Sequence, residues 1–136
     1  MLHEDLTGKI LQACFEVSKE LGSGFLESVY EKALLVALRQ KDLQAAAQVP
    51  LLVKFRGIIV GEFYADILVE EKVLVELKAV GVLANEHYAQ LLNYLKATAL
   101  EVGLLVNFGN PKLEYRRFDN RSLQNQKINV QDLLSE

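Results

Sequence analysis

The fold of the chain follows from the stretch EFYADILVEEKVLVELK, residues 62–78. On either side of the charged triplet 70–72, apolar and polar residues alternate, which is typical of two strands joined by a tight turn. A three-residue loop at 70–72 pairs apolar residues on one face: Val69 with Val73, Ile67 with Val75 and Ala65 with Leu77. A two-residue loop would instead set Val69 against Lys72 and mix charge with the core. Apolar matching therefore predicts the first register.

On the other face of the hairpin, this register sets Asp66 directly opposite Glu76, with Lys78 pointing to the same side. Opposed residues have Cβ atoms roughly 4.5–5.5 Å apart, so two like charges there are unfavourable without a cation. Mg²⁺ and similar hard cations take oxygen ligands, usually one or two carboxylates with water and phosphate. The pattern favours a divalent-metal site, and a salt-bridge network on a solvated sheet face is the alternative.

The segments on both sides of this hairpin predict eight elements in the order α-α-β-β-β-α-β-β, a mixed α/β (α+β) fold with a mixed sheet flanked by helices. The predicted helices are 7–21, 26–41 and 86–99, and the predicted strands are 49–55, 58–69, 73–79, 102–108 and 113–118. Asn85 is expected to cap the third helix. Alternation should place on one face Phe63, Ala65, Ile67 and Val69. The continuous apolar run 102–108 suits a central or parallel strand.

Length and composition predict one folded domain over residues 1–136, with a core at about 6–118 and a polar tail at 119–136. The chain has 136 residues, of which 51% are hydrophobic and 24% charged, so it is globular rather than disordered. No apolar run approaches the about 18 residues of a membrane span, and residues 1–5 lack the features of a secretory signal. We therefore expect a cytoplasmic protein without membrane contact. The lone Cys14 excludes an intrachain disulfide and a multi-cysteine zinc site.

The charge distribution gives a weaker indication. The net charge of −3 argues against a protein that coats nucleic acid, because such proteins are usually basic. The segments 1–31 and 61–86 are acidic, and 32–60 between them is basic. An acidic centre suits a cation site, and it equally suits ordinary solvated faces.

Three motifs resemble those of a nuclease superfamily. Asp66 followed by the triplet Glu76-Leu77-Lys78 resembles the D-x(n)-(D/E)-x-K signature of the PD-(D/E)XK nucleases, which have the restriction-endonuclease-like fold. The segment GFLESVY, 24–30, resembles the G-x-x-E-x-x-Y motif of the GxxExxY proteins within that superfamily. The segment QLLNY, 90–94, is similar to the Q-x-x-x-Y motif of the RecB-like and lambda-exonuclease-like branch. The resemblance covers about 6–118, and Ala65 stands where the superfamily's name has proline.

This resemblance implies a metal-dependent nuclease that hydrolyses phosphodiester bonds, with DNA as the expected substrate and Mg²⁺ or Mn²⁺ as cofactor. It implies Asp66 and Glu76 as metal ligands, with Glu27 completing the metal shell. Lys78 would position or deprotonate the attacking water, or stabilise charge on the phosphate. These roles agree with the chemistry, because phosphodiester hydrolysis needs a Lewis acid on a non-bridging oxygen and an activated water in line.

Other candidates would support the site or bind substrate. Gln90 and Tyr94 are four residues apart and share one helix face with His87. The remaining supporting candidates are Tyr30, Arg116 and Arg117.

Each of these assignments has a structural alternative. Glu27 also fits the third position of a helix capped by Gly24, where an acid favours the helix dipole. The pair on the third helix also fits ordinary packing on the sheet, and the two arginines also fit a solvated strand edge. Tyr30 fits the core better than catalysis.

A second function class is a nuclease-like fold that serves as a non-catalytic binding or assembly module. The net acidic charge favours it, whereas the opposed carboxylates argue against it because a domain without catalysis has no chemical need for them. A P-loop or Rossmann nucleotide-binding protein is excluded, since neither G-x-x-x-x-G-K-[S/T] nor G-x-G-x-x-G after a strand is present. The sequence does not distinguish endonuclease from exonuclease, DNA from RNA, or monomer from homodimer.

Overall fold

The computed structural model describes residues 3–119 and confirms the predicted order of elements. The three helices are α1 (Glu4–Leu21), α2 (Glu27–Gln40) and α3 (Asn85–Ala97). The five strands are β1 (Ala45–Phe55), β2 (Ile58–Val69), β3 (Val73–Lys78), β4 (Val102–Asn107) and β5 (Glu114–Asp119). Of the predicted tail 119–136, residues 120–136 lie outside the described residues, and Asp119 ends β5 rather than beginning a tail.

The five strands form one mixed sheet in sequence order, β1-β2-β3-β4-β5. Neighbouring strands are antiparallel except β3 and β4, which are parallel and are joined by α3. All six residues of β4 are buried, which confirms the prediction of a central or parallel strand. Among the described residues, no helix is long and apolar enough to cross a membrane.

Each face of the sheet is covered by helices over its own apolar cluster. The cluster under α1 and α2 includes Ile10, Leu34, Val75 and Leu104, whereas the cluster under α3 includes Leu74, Leu91, Leu95 and Leu105. Gly103 lets α3 approach β4 closely, because an added Cβ would lie 2.9 Å from Cδ1 of Leu91.

The structure confirms the predicted loop and register of the β2–β3 hairpin. Val69 pairs with Val73 and Ile67 with Val75, and the regular pairing of the two strands ends there. The predicted pair Ala65–Leu77 does not form, because β2 leaves β3 at Asp66, where side chains take over the hydrogen bonds.

The same divergence corrects the predicted faces of β2. Ile67 and Val69 pack in the cluster under α1 and α2, but Ala65 packs in the cluster under α3, and the Phe63 ring stacks on α3. On β1, Gln48 lies opposite the point of divergence with a φ of 52°, which alters the backbone there. Regular alternation therefore does not hold across the whole of β2.

Two predicted boundaries were also wrong. β1 begins at Ala45 rather than at 49, because its first residues are alanines that give no alternation signal. Asn85 is the first residue of α3 rather than its cap, and the cap residue is Ala84. The Ala84 N–H donates to Nδ1 of His87 at 3.0 Å, so the histidine side chain supplies the capping acceptor.

Candidate active site

Asp66 and Glu76 meet where β2 and β3 separate. The Leu77 N–H donates to Oδ2 of Asp66 at 2.8 Å, and the Asp66 N–H donates to Oε1 of Glu76 at 3.3 Å. Each carboxylate thus holds the backbone of the other strand through one oxygen. The two acids predicted to face each other are close together, held by backbone groups rather than by regular strand pairing.

Burial and like charge raise the pKa of Glu76 from 4.5 to about 8. The side chain is only 4% exposed, and the neighbouring Asp66 adds to the effect of burial. The backbone hydrogen bond from Asp66 and the charge of Lys78 act in the opposite direction without cancelling it. At neutral pH this buried acid therefore favours its protonated form, since the described side chains supply too little positive charge.

Glu27 is the first residue of α2 and shares the electrostatic environment of the pair. Partial burial raises the pKa of Glu27, Lys78 opposes that rise, and Asp66 adds to it. The helix cap is Leu26, so the alternative that placed Gly24 at the cap and Glu27 at the third position is wrong. At the first turn of the helix, Glu27 also complements the helix dipole.

Tyr30 fixes the loop that precedes Glu27. Its side chain is fully buried and stacks on Phe108 at a centroid distance of 4.7 Å. Its hydroxyl donates to the Gly22 carbonyl at 2.6 Å and accepts from the Phe25 N–H at 3.2 Å. Tyr30 therefore lies in the core, as its structural alternative held, and it supports the site by positioning the start of α2.

Helix α3 brings Gln90 and Tyr94 to the carboxylates. Gln90 Nε2 donates to the Tyr94 hydroxyl at 2.7 Å, and Phe63 stacks on the Tyr94 ring at 3.6 Å. Burial, with Glu76 and then Asp66, raises the pKa of Tyr94, which indicates that its hydroxyl faces the acidic pair. His87 lies on the same helix, where its described hydrogen bond goes to the helix start instead.

Gln48 and Glu31 extend the site, and the sequence analysis did not identify either. Gln48 Nε2 donates to Oε2 of Glu31 at 2.9 Å and to Oδ1 of Asp66 at 3.4 Å. Its φ of 52° is in the left-handed region, which costs a non-glycine residue on the order of 1 kcal/mol. Glu31 lies one helical turn after Glu27, and that spacing was the available signal. No feature of the sequence indicates the left-handed backbone conformation of Gln48.

Asn107 is a second residue that the sequence analysis missed. It is fully buried, and its Oδ1 accepts from the N–H groups of Val80 and Gly109, both at 3.0 Å. Its Nδ2 donates to the Val80 carbonyl at 2.9 Å, and the Phe108 N–H donates to the Lys78 carbonyl at 2.8 Å. These bonds fix the end of β3 and hence the backbone that carries Lys78.

The two arginines of β5 contact protein groups. The Arg116 guanidinium lies 5.5 Å from the centroid of the Tyr88 ring, and Arg117 forms an ion pair with Asp119 at 3.6 Å. In register, Arg116 pairs with Leu105, whose partner on β3 is Glu76. A substrate-binding role for either arginine stays a prediction.

The donor set fits a hard divalent cation in part. Asp66 and Glu76 supply two carboxylates, the number that Mg²⁺ commonly takes from protein, in a place where burial and the neighbouring Asp66 raise the pKa of Glu76. Within residues 3–119, no group of three or more His, Cys, Asp or Glu side chains is arranged to hold a metal. The structure therefore does not gather Glu27 with the pair into a three-carboxylate shell.

Comparison with known proteins identifies the family. The sequence model of the PD-(D/E)XK nuclease superfamily matches residues 4–118. The chain belongs to this superfamily. Its five-strand mixed sheet with flanking helices is the restriction-endonuclease-like fold that the resemblance implied.

A solved structure supports the same fold. The crystal structure of SSO0001 is similar to the chain with a TM-score of 0.56 and 16% sequence identity. The match covers 98% of this chain and 64% of that chain. At this identity the likeness concerns the fold alone. A search of curated proteins gave no match.

Proposed function

We propose that the protein is a metal-dependent nuclease that hydrolyses phosphodiester bonds in DNA with Mg²⁺ or Mn²⁺. The observation that supports this most directly is the acidic pair of half-buried Asp66 and buried Glu76, which lies where two strands separate within a PD-(D/E)XK chain. A bound divalent cation would supply Lewis acidity toward a phosphate oxygen and promote ionisation of water.

Asp66 and Glu76 bind the cation in this proposal. Each uses one oxygen for a backbone hydrogen bond, and the second oxygen of Asp66, Oδ1, accepts from Gln48 Nε2 at 3.4 Å. The resemblance to the GxxExxY proteins implies Glu27, the first residue of α2, as the third ligand, and it would have to move closer to the pair to reach the cation. Positive charge at this position would oppose the burial and the repulsion from Asp66 that raise the pKa of Glu76.

Lys78 is the proposed group for the attacking water. It follows Glu76 by two residues on the same strand, and its charge acts on both Glu76 and Glu27. From there the ammonium group orients a water or stabilises charge on the phosphate. Tyr94 and its hydrogen-bond donor Gln90 line the other side and contact the phosphate or hold the carboxylates.

The test is cleavage of linear and circular DNA, each single- and double-stranded, with Mg²⁺, Mn²⁺ or EDTA. Variants Glu76→Gln and Lys78→Met are compared with Glu71→Gln, which changes an exposed charge in the turn between β2 and β3. We expect metal-dependent cleavage that both site variants reduce by at least about 100-fold and that Glu71→Gln leaves intact.

The contrary outcome is equally informative. Absence of cleavage on every substrate, together with no Mg²⁺ or Mn²⁺ binding by calorimetry, would refute the proposal and favour the non-catalytic binding module. Digestion of linear but not circular DNA would identify an exonuclease, and digestion of both an endonuclease.

A further inference from the structure

Strands β1 and β2 continue beyond the rest of the sheet as a two-stranded arm, residues 49–65. The pairing between β2 and β3 ends at Ile67–Val75, whereas β1 and β2 stay paired as far as Phe55–Ile58. The end of the arm, residues 54–60, is called the tip, and all seven of its residues are exposed. The tip therefore adds nothing to either core cluster.

The tip is apolar although it is exposed. Phe55, Ile58, Ile59 and Val60 are 57–68% exposed, and they follow one another around a two-residue turn. Contiguous exposed apolar side chains of this kind mark an interaction site more often than a neutral surface.

The tip is also cationic. It contains two basic residues, Lys54 and Arg56, and no acidic residue. Neither basic side chain forms an ion pair with any residue between 3 and 119. The Arg56 guanidinium lies 4.8 Å from the centroid of the Phe55 ring. Arg56 and Gly57 have φ values of 51° and 78°, so the ribbon closes in a tight turn with the arginine at its apex.

The inner face of the arm is continuous with the acidic pair. Leu51 packs in the α3 cluster, Phe63 stacks on Tyr94, and alternation along β1 sets Phe55 on the same face as Leu51. Ile58 is eight residues from Asp66, which at 3.3 Å per residue is a reach of roughly 26 Å. At 3.4 Å per base pair, this reach corresponds to roughly eight base pairs of duplex.

We propose that the arm binds double-stranded nucleic acid about eight base pairs from the acidic pair, with its tip in a groove and its cations on the phosphates. The inference rests on the proposed function only for the position of the cleaved bond. The unpaired positive charge of the tip complements the phosphate backbone, and a two-stranded ribbon fits the width of the major groove. Arg56 beside apolar side chains also matches the way proteins insert wedges between base steps.

The test measures binding of the full chain to a fluorescently labelled 24-base-pair DNA duplex in EDTA, by anisotropy at several salt concentrations. The variant Lys54→Ala/Arg56→Ala is compared with Lys9→Ala/Lys19→Ala, a matched removal of two exposed charges from α1. We expect the tip variant to bind about tenfold more weakly, with a salt slope reduced by about 1.8, and the control to match the unmodified protein.

Duplex length gives a second readout. A six-base-pair duplex is too short to span from the acidic pair to the tip, so the unmodified protein should bind it more weakly than the 24-base-pair duplex. Equal affinity for the two lengths would overturn the position assigned to the arm. An affinity loss confined to single-stranded DNA would overturn the choice of duplex.

The competing occupant is a second copy of the chain. If Phe55→Ser/Ile58→Ser converts a dimer into a monomer in analytical ultracentrifugation while duplex affinity stays the same, the tip is a self-association surface and the proposal is refuted. Cleavage with no arm-dependent binding would refute the arm and leave the nuclease intact. Arm-dependent binding without cleavage would support the arm and refute the proposed activity.

Discussion

The substitution Glu76→Gln should stabilise the metal-free protein, and increasingly so as the pH rises. Folding raises the pKa of Glu76 from its ordinary 4.5 to about 8 because the side chain is buried beside Asp66. The folded state therefore holds this proton more tightly than the unfolded state does. The stabilisation of the folded state by this bound proton is complete below pH 4.5 and is lost as the pH rises toward and through 8. Glutamine keeps the shape and an acceptor for the Asp66 N–H, and it does not ionise.

The size of the effect follows from the two pKa values. Each pH unit between them is worth about 1.36 kcal/mol, so the full effect approaches about 5 kcal/mol. Between pH 6 and pH 8.5, the unmodified protein should lose about 2–3 kcal/mol relative to the glutamine variant. The variant thus gains stability at the expense of the acid that the proposed mechanism requires.

The assay is urea unfolding in EDTA at pH 6, 7, 8 and 8.5, with Glu71→Gln as the exposed control. The free-energy difference between Glu76→Gln and the unmodified protein should grow with pH, and that for Glu71→Gln should stay flat. Adding Mg²⁺ should stabilise the unmodified protein at pH 8 and leave Glu76→Gln unchanged. A difference that is constant or shrinks with pH would show that Glu76 is not a destabilised buried acid.

Three further substitutions test the support around the site. Gln48→Gly should change the free energy of unfolding by less than about 1 kcal/mol, because glycine accepts the positive φ. The Mg²⁺ affinity of this variant, measured by calorimetry, should fall about tenfold. Unchanged affinity would remove Gln48 from the site. Asn107→Ala should lower the free energy of unfolding in urea by about 3 kcal/mol, since several buried hydrogen bonds at Val80 and Gly109 are lost. A loss below about 1 kcal/mol would contradict the role of Asn107 in fixing the end of β3. Gly103→Ala should cost about 1–3 kcal/mol and lower the thermal midpoint, because the new methyl group would press on Leu91; an unchanged midpoint would mean that α3 adjusts freely.

Apolar matching was sufficient to predict the central hairpin. Val69 pairs with Val73 and Ile67 with Val75 across the loop. Of the two registers compared, this is the one that keeps charge out of the core. Because side chains alternate along a strand, that register also brought Asp66 and Glu76 to one place. The acidic pair was therefore accessible from residue pattern alone, before any family resemblance was used.

The supporting groups were not accessible in this way. Asn107 lies in an apolar strand, and only the folded backbone shows that its amide satisfies the groups that follow β3. Gln48 has a φ that glutamine seldom adopts, so propensity argues against the observed conformation. Both residues act through long-range contacts, and a local reading of the sequence contains no information on those contacts.

Three departures from regular structure coincide in one row across β1, β2 and β3. Gln48 has a left-handed backbone, Asp66 lies where strand pairing stops, and Glu76 is an acid buried within the sheet. Each departure is unfavourable by itself. A fold selected for stability alone would have placed apolar residues in regular pairing there. The hydrogen bonds that link the three residues show that the costs belong to one arrangement, and a cation held by the two acids would offset the repulsion between them.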